Sequence, residues 1–151
     1  YLLAEHIKNT YHHVEVIAIP FDQSGKLGDV SVLLKEQKIF NSLKYEQISG
    51  LGYFSFTEGN NLYLIYNDYL KNAEAENIDD LHAESELEDS KNGTFMAELS
   101  QGNPLEKSLL FTFKENKKYL IPNKCYSENG VNIIHIGEEG KKSTDGELTI
   151  N

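Results

Sequence analysis

Short runs of β-branched and aromatic residues, each closed by Gly, Asn or Asp, recur along this chain, and helix signals are few. Such runs favour pleated, half-buried strands, and the Gly and Asn positions between them supply the backbone angles that tight turns need. Val14-Glu15-Val16-Ile17-Ala18-Ile19-Pro20-Phe21 runs into Asp22-Gln23-Ser24-Gly25-Lys26, where Gly25 is free to take positive φ, and Val30 to Leu34 follows, so the pair reads as a hairpin. The clearest hairpin sets Tyr53 to Thr57 and Leu62 to Tyr66 on either side of Glu58-Gly59-Asn60-Asn61. Tyr1-Leu2-Leu3-Ala4-Glu5 has the alternation of a strand interior, so the chain is expected to be cut from something longer.

The same plan recurs. Thr94 to Leu99 and Ser108 to Phe113 read as strands around the turn Gln101-Gly102-Asn103-Pro104, and Lys124 to Ser127 and Val131 to Ile136 as strands around Glu128-Asn129-Gly130. Laying Asn60 to Tyr66 over Asn129 to His135 gives an offset of 69 residues, whereas Gly25 and Gly102 differ by 77, so the recurrence keeps strand order and is loose in spacing. A sheet cannot bury both faces alone and must stack on a neighbour. The expected fold is therefore all-β, built of antiparallel four-stranded sheets as the β-propeller-like blades of a partial propeller, with a β-sandwich as the alternative. The 151 residues suit a single β-rich module with one core, its blade-like repeats covering about 1–72 and 93–151 and joined by an acidic loop over 73–92. A polar turn from Glu138 to Gly146 and a closing strand, Glu147 to Ile150, complete the plan.

Charge is concentrated in that loop. Of a net charge of -10, eight acids (Glu74, Glu76, Asp79, Asp80, Glu84, Glu86, Glu88 and Asp89) lie in a stretch without Lys or Arg, which leaves about -2 for the rest. In Ala73 to Leu87, Leu81 and Leu87 are too few for a buried helical face, so an exposed loop or frayed helix is expected there. Nucleic acid is an unsuitable partner, since its phosphates require clustered Lys and Arg. No apolar run approaches the roughly 20 residues that cross a bilayer as a helix, so this segment is expected not to span a membrane.

A catalytic constellation is hard to place. The lone Cys125 excludes an internal disulfide and a Cys-based zinc cage, and it reads as an inert thiol in a strand. Among the five histidines, His12 and His13 follow Tyr11 directly; adjacent strand residues point to opposite faces, so the two cannot share a metal ion. HExxH, CxxC, Gly-rich phosphate loops and the Gly-x-Ser-x-Gly elbow are missing. Most acids sit in the 74–89 stretch, which offers no rigid scaffold for a carboxylate pair and lacks the spacing of a calcium loop. No enzyme activity, cofactor or metal is expected. The most distinctive element is Tyr66-Asn67-Asp68-Tyr69-Leu70-Lys71-Asn72, directly after a strand. Asn and Asp there are suited first to bracing a turn; because loops carry binding surfaces, Asn67, Asp68 and Asn72 are also the candidate ligand-binding residues.

An ordered series of elements resembles a family of uncharacterised exported Bacteroidetes proteins with β-propeller-like repeats. The series is Tyr1 to Glu5, Val16 to Ile19 leading to Gly25-Lys26, Leu34-Lys35-Glu36-Gln37, Tyr53 to Phe56, and Leu62 to Asp68 with Asn72. It departs from the family pattern at Leu27-Gly28-Asp29, where an aromatic is usual after the Gly turn, and at Leu34, where Pro is usual. The resemblance implies that this is the C-terminal part of a longer exported protein, periplasmic or on the cell surface. With nine tyrosines available for contacts, the expected function is a non-catalytic binding or assembly module whose partner is another protein or the remainder of its own chain. A glycan-binding or glycan-processing protein is the alternative.

Overall fold

The segment His12–Ile19 alternates buried and half-buried residues along its whole length, the period-two signature of a strand with one covered face. That pattern sets the architecture of the computed structural model, which describes residues 1–9, 12–38, 50–82, 90–100, 103–138 and 146–150. The first sheet contains β1 (Leu2–Asn9), β2 (His12–Ile19), β3 (Ser31–Leu33) and β4 (Gln37–Lys38). The middle sheet is the meander β5 (Tyr53–Glu58), β6 (Asn61–Tyr69), β7 (Asn92–Leu99) and β8 (Glu106–Thr112). The third holds β9 (Lys118–Leu120), β10 (Tyr126–Glu128), β11 (Val131–Glu138) and β12 (Gly146–Ile150). All pairings within the sheets are antiparallel, and the sheets do not close into a barrel.

The expected hairpins form where turn chemistry allows them: Gly25 has φ 81°, Gly59 58° and Gly130 78°. Two sheets are less regular than four continuous strands. In the first, β3 and β4 both pair with β2 on the side opposite β1, so they are pieces of one strand interrupted at 34–36. In the third, β9 and β10 flank β11 opposite β12, interrupted by a 3-10 turn at Pro122–Lys124. The expected strand from Lys124 therefore starts two residues later. The expected strand Ser108 to Phe113 stops at Thr112, whose hydroxyl accepts the Glu115 N–H and caps the four-residue helix α1 (Phe113–Asn116).

The boundaries of the repeats need correction. β6 and β7 pair without interruption from Leu62↔Leu99 to Tyr69↔Asn92, so the acidic segment connects neighbouring strands of one sheet and does not join two blades. The sheets span 2–38, 53–112 and 118–150, in place of repeats at 1–72 and 93–151. Strand formers announce a strand; register between segments distant in sequence decides its neighbours. Of the acidic segment, 73–82 holds 3-10 turns (Leu70–Glu74 and Ile78–Asp80) and 83–89 lies outside the described residues, as do Gln101 and Gly102 of one expected turn and 139–145 of another.

The middle sheet is covered on both sides. Leu62, Leu64 and Tyr66 of β6, with Phe95, Ala97 and Leu99 of β7, pack against Val16, Ala18 and Leu33 of the first sheet. The opposite face, Phe54, Phe56 and Ile65, packs against Leu120 and Ile134 of the third. Each side chain buried in this way contributes roughly 1.5–3 kcal/mol. A smaller cluster of Phe113, Tyr119 and Ile121 seats α1. Among the described residues no helix is long and apolar enough to cross a membrane.

The third sheet contains a tight contact with a measurable consequence. A Cβ placed on buried Gly137 would lie 2.6 Å from Cζ of the Tyr119 ring, which is itself buried. Gly137→Ala is expected to destabilise the fold by about 1–3 kcal/mol through overpacking, read as a lower urea midpoint with an unchanged slope.

Candidate functional site

Strand β6 does not end at Tyr66. It runs on through Asn67, Asp68 and Tyr69, which pair with Thr94, Gly93 and Asn92 of β7. The expected turn is thus strand, followed by the 3-10 turn that carries Asn72. All three candidate binding residues are buried: 2% of Asn67, 3% of Asp68 and 1% of Asn72 is exposed. The expectation that they present a loop surface to a ligand is corrected by this burial. They do come together, at a polar seam where the three sheets meet.

Asn67 uses its whole side-chain amide. Its Nδ2 donates to Gly50 O at 2.9 Å and Leu120 O at 2.8 Å, and its Oδ1 accepts from Leu120 N at 2.9 Å and Thr94 Oγ1 at 2.8 Å. One side chain thereby joins β6 to β7, to β9 of the third sheet and to the segment before β5. Asp68 Oδ1 accepts from Tyr69 N at 2.8 Å, Asn72 Nδ2 at 2.7 Å and Glu36 N at 3.2 Å, linking β6 to the interruption between β3 and β4. Asn72 Nδ2 also donates to His82 O at 2.9 Å, and its Oδ1 accepts His82 N at 2.8 Å, which fastens the start of the acidic segment.

The first sheet contributes charges that the sequence reading passed over. Leu33, Lys35 and Gln37 alternate inward, and the ammonium of fully buried Lys35 donates to Glu5 Oε1 at 2.6 Å and Gln37 Oε1 at 2.8 Å. Gln37 Nε2 reaches Asn67 O at 2.6 Å and Gly52 O at 3.2 Å, and its Oε1 accepts Gly52 N at 2.8 Å. His12 and His13 meet different carboxylates, Glu36 at 2.7 Å and Glu5 at 3.0 Å. From β8, Lys107 Nζ donates to Leu34 O and Asn72 O, each at 3.2 Å. Lys35 could have been suspected as the charged residue within an inward-alternating trio; what it pairs with could not.

Burial dominates the electrostatics. Desolvation raises the Asp68 carboxyl to about 7, against the hydrogen bonds from Asn72, Tyr69 and Glu36 and the charge of Lys35. Burial likewise holds Lys35 below the usual lysine range despite the attraction of Glu5, and Lys107 below it despite that of Asp68. Burial raises Glu5 too, but His13 and Lys35 outweigh it and bring this carboxyl below its usual value. These groups face one another inside the stack, where their hydrogen bonds are internal. Among the described residues no group of three His, Cys, Asp or Glu side chains is gathered in the manner of a metal site. Cys125 lies between the 3-10 turn and β10, outside a strand; its thiol donates to Ile121 O at 3.3 Å, and burial pushes its pKa up.

Open space lies elsewhere. A cleft of about 400 Å³ at the β2–β3 hairpin is lined by Tyr1, Phe21, Asp22, Lys26, Thr57 and Asn60 among others. A groove of about 420 Å³ runs beside β5, between β1 and the β10–β11 turn. Sequence reasoning assigned neither, because each is made by elements from different sheets.

Two outcomes follow from the seam. Asn67→Ala strips partners from buried groups on three segments and is expected to cost about 3 kcal/mol, measured by urea unfolding. Asp68 binds its proton more tightly folded than unfolded, so the stability it provides is complete below the usual carboxylate range and is lost as pH rises through about 7. Between pH 6 and 8 that loss is about 1 kcal/mol. In Asp68→Asn this component of the slope should vanish, read as a melting temperature that changes less between pH 6 and 8 than that of the wild type.

No protein-family model, curated protein or solved structure matches the chain.

Proposed function

We propose that this chain is a non-catalytic assembly module whose first sheet receives a further β-sheet against its outer face. The observation that carries the reading is the composition of that face. Leu2 pairs with Ile19, and Ala4 pairs with Ile17, which on its other side meets Val32. Leu2 is 58% and Val32 44% exposed, Ala4 is exposed, and Ile17 and Ile19 are half-buried. Contiguous apolar surface of this kind marks an interaction site. Its rows have the pattern of the inner rows, where Val16 and Leu33 stack on the middle sheet. A second sheet with an apolar face is the occupant that this geometry suits, because face-to-face packing of sheets is how the molecule already covers each face of its middle sheet. On this reading the sheets act as consecutive blades of a partial propeller within an exported protein, and the added sheet comes from the rest of a longer chain or from a protein partner. The buried seam supports a role without catalysis, since its charged groups are engaged with one another.

A glycan-binding reading draws support from the hairpin cleft, where the 53%-exposed Phe21 ring stands beside Asp22, Lys26, Thr57 and Asn60. A glycan array would favour it if a bound sugar were lost on Phe21→Ala. Asn67 and Asp68 would be poor probes for that purpose, being internal.

Stacking is tested by sedimentation over a concentration series. The wild-type chain should rise above its monomer mass of 17.1 kDa, and the double substitution Leu2→Lys, Val32→Lys should weaken association at least about tenfold while leaving the far-ultraviolet spectrum unchanged. A wild-type chain that stays monomeric at every concentration and unfolds cooperatively would remove the support for an unsatisfied stacking face.

A further inference from the structure

Edge strands expose unpaired N–H and C=O groups, and folded proteins usually blunt them by bulges, interruptions or charge. Most edges of this molecule follow the rule. β1 has register shifts between Glu5 and Ile7 and between Ile7 and Asn9. β8 has one opposite Thr94 and Phe95, where Leu110 is the extra residue. The edges β3–β4 and β9–β10 are broken into pieces of two or three residues. β5 is different. All six of its residues hold an unshifted register with β6, from Tyr53↔Tyr66 to Glu58↔Asn61, and its single charge is the terminal Glu58. β12 is also unshifted, but the groove lies against β5.

The groove touches three consecutive residues of β5: Ser55, Phe56 and Thr57. Consecutive strand residues point to opposite faces, so a space that meets all three lies along the strand's edge and not over one face. On that edge alternate residues direct both N–H and C=O away from β6, and among the described residues no strand pairs there. The ligand complementary to such a row is another extended main chain, which carries donors and acceptors at the same repeat.

We propose that the free edge of β5 is a peptide-docking site, taking an extended segment of a partner protein as an added strand beside Ser55, Phe56 and Thr57. The walls specify the side chains it accepts. Ser55 and Thr57 share the face of Leu64 and Leu62, toward the first sheet, where Leu3 and Leu62 line the groove. Phe56 points to the other face, toward the third sheet, where the groove is lined by Ser127 and Asn132, themselves hydrogen-bonded at 2.7 Å. Alternate residues of the guest therefore meet an apolar wall and a polar wall, and the preferred segment alternates apolar with hydroxyl or amide residues. Main-chain bonds supply affinity, and this two-sided lining supplies selectivity. The site is separate from the outer face of the first sheet and does not depend on stacking there.

The test uses the 151-residue chain and a fluorescent peptide of about eight residues in which Val alternates with Thr, compared with two isomers N-methylated on one or the other alternate set of amides. Anisotropy should report binding of the parent peptide and of one isomer only, because a single set of guest amides faces β5. Thr57→Lys, at an exposed position on the edge, should weaken binding at least about tenfold, whereas Val32→Lys on the stacking face should leave it unchanged. Hydrogen exchange should show outward β5 amides open in the free chain and protected by the peptide. The proposal is overturned if the parent peptide fails to bind at millimolar concentration, if both isomers bind equally, or if Thr57→Lys has no effect. It is equally overturned if β5 is protected in the free chain by a second copy, since the occupant would then be the chain itself.

Discussion

Asn67 is the point on which the three sheets are fixed to one another: four hydrogen bonds of its side chain tie the middle sheet to the third and to the segment before β5, and its carbonyl accepts Gln37 of the first. Apolar contact holds the sheets together but is non-directional, so Val16, Leu64 and Phe95 would tolerate some sliding of one face over another. A buried amide tolerates none. Asn67 donates to Gly50 and Leu120 and accepts from Leu120 and Thr94, and displacement of any of them by an ångström leaves a polar group without solvent or partner. Gln37 does the same for the first sheet, through Asn67 O and both polar groups of Gly52. The seam thus sets the register in which the sheets stack, while the apolar clusters supply most of the driving force.

Charge at this junction has a cost that hydrogen bonding offsets. Lys35 is fully buried, and its pairing with Glu5 at 2.6 Å compensates desolvation without making the pair a large net source of stability. Removing one partner would be far more damaging than replacing both with apolar groups. Asp68 shows the same balance from the other side, since three donors on Oδ1 still leave its carboxyl at about 7. A junction built this way is specific before it is strong. It also leaves the chemistry of the seam turned inward, with the open surfaces at the hairpin cleft, the edge of β5 and the outer face of the first sheet.

Strand identity was readable in the sequence to a large extent, and for a clear reason. Val14 to Ile19, Tyr53 to Thr57 and Leu62 to Tyr66 are dominated by residues that fit a pleat, and Gly25, Gly59 and Gly130 take the positive φ that their turns require. Partner choice was not readable. The 69-residue match between Asn60–Tyr66 and Asn129–His135 compares two hairpin halves correctly, yet it carries no information that β6 continues past Tyr66 to pair with β7 across an acidic insertion. The candidate site divided in the same way: Asn67, Asp68 and Asn72 stood out as a polar group after a strand, but Lys35, Glu5 and Gln37, up to 67 residues away in sequence, could not be joined to them.

By itself the sequence determined that the chain forms strands, where several of its tight turns fall, and that its acidity is confined to one insertion; these are local matters of backbone preference and composition. The tertiary structure alone decided which strands are neighbours, that Asn67, Asp68 and Asn72 lie inside and not on a loop, and that among the described residues no strand pairs with the outer edge of β5, beside a groove. Those outcomes depend on register and burial. Both are set when segments far apart in the chain meet, and the solvent that each polar group loses at that meeting cannot be counted from its sequence neighbours.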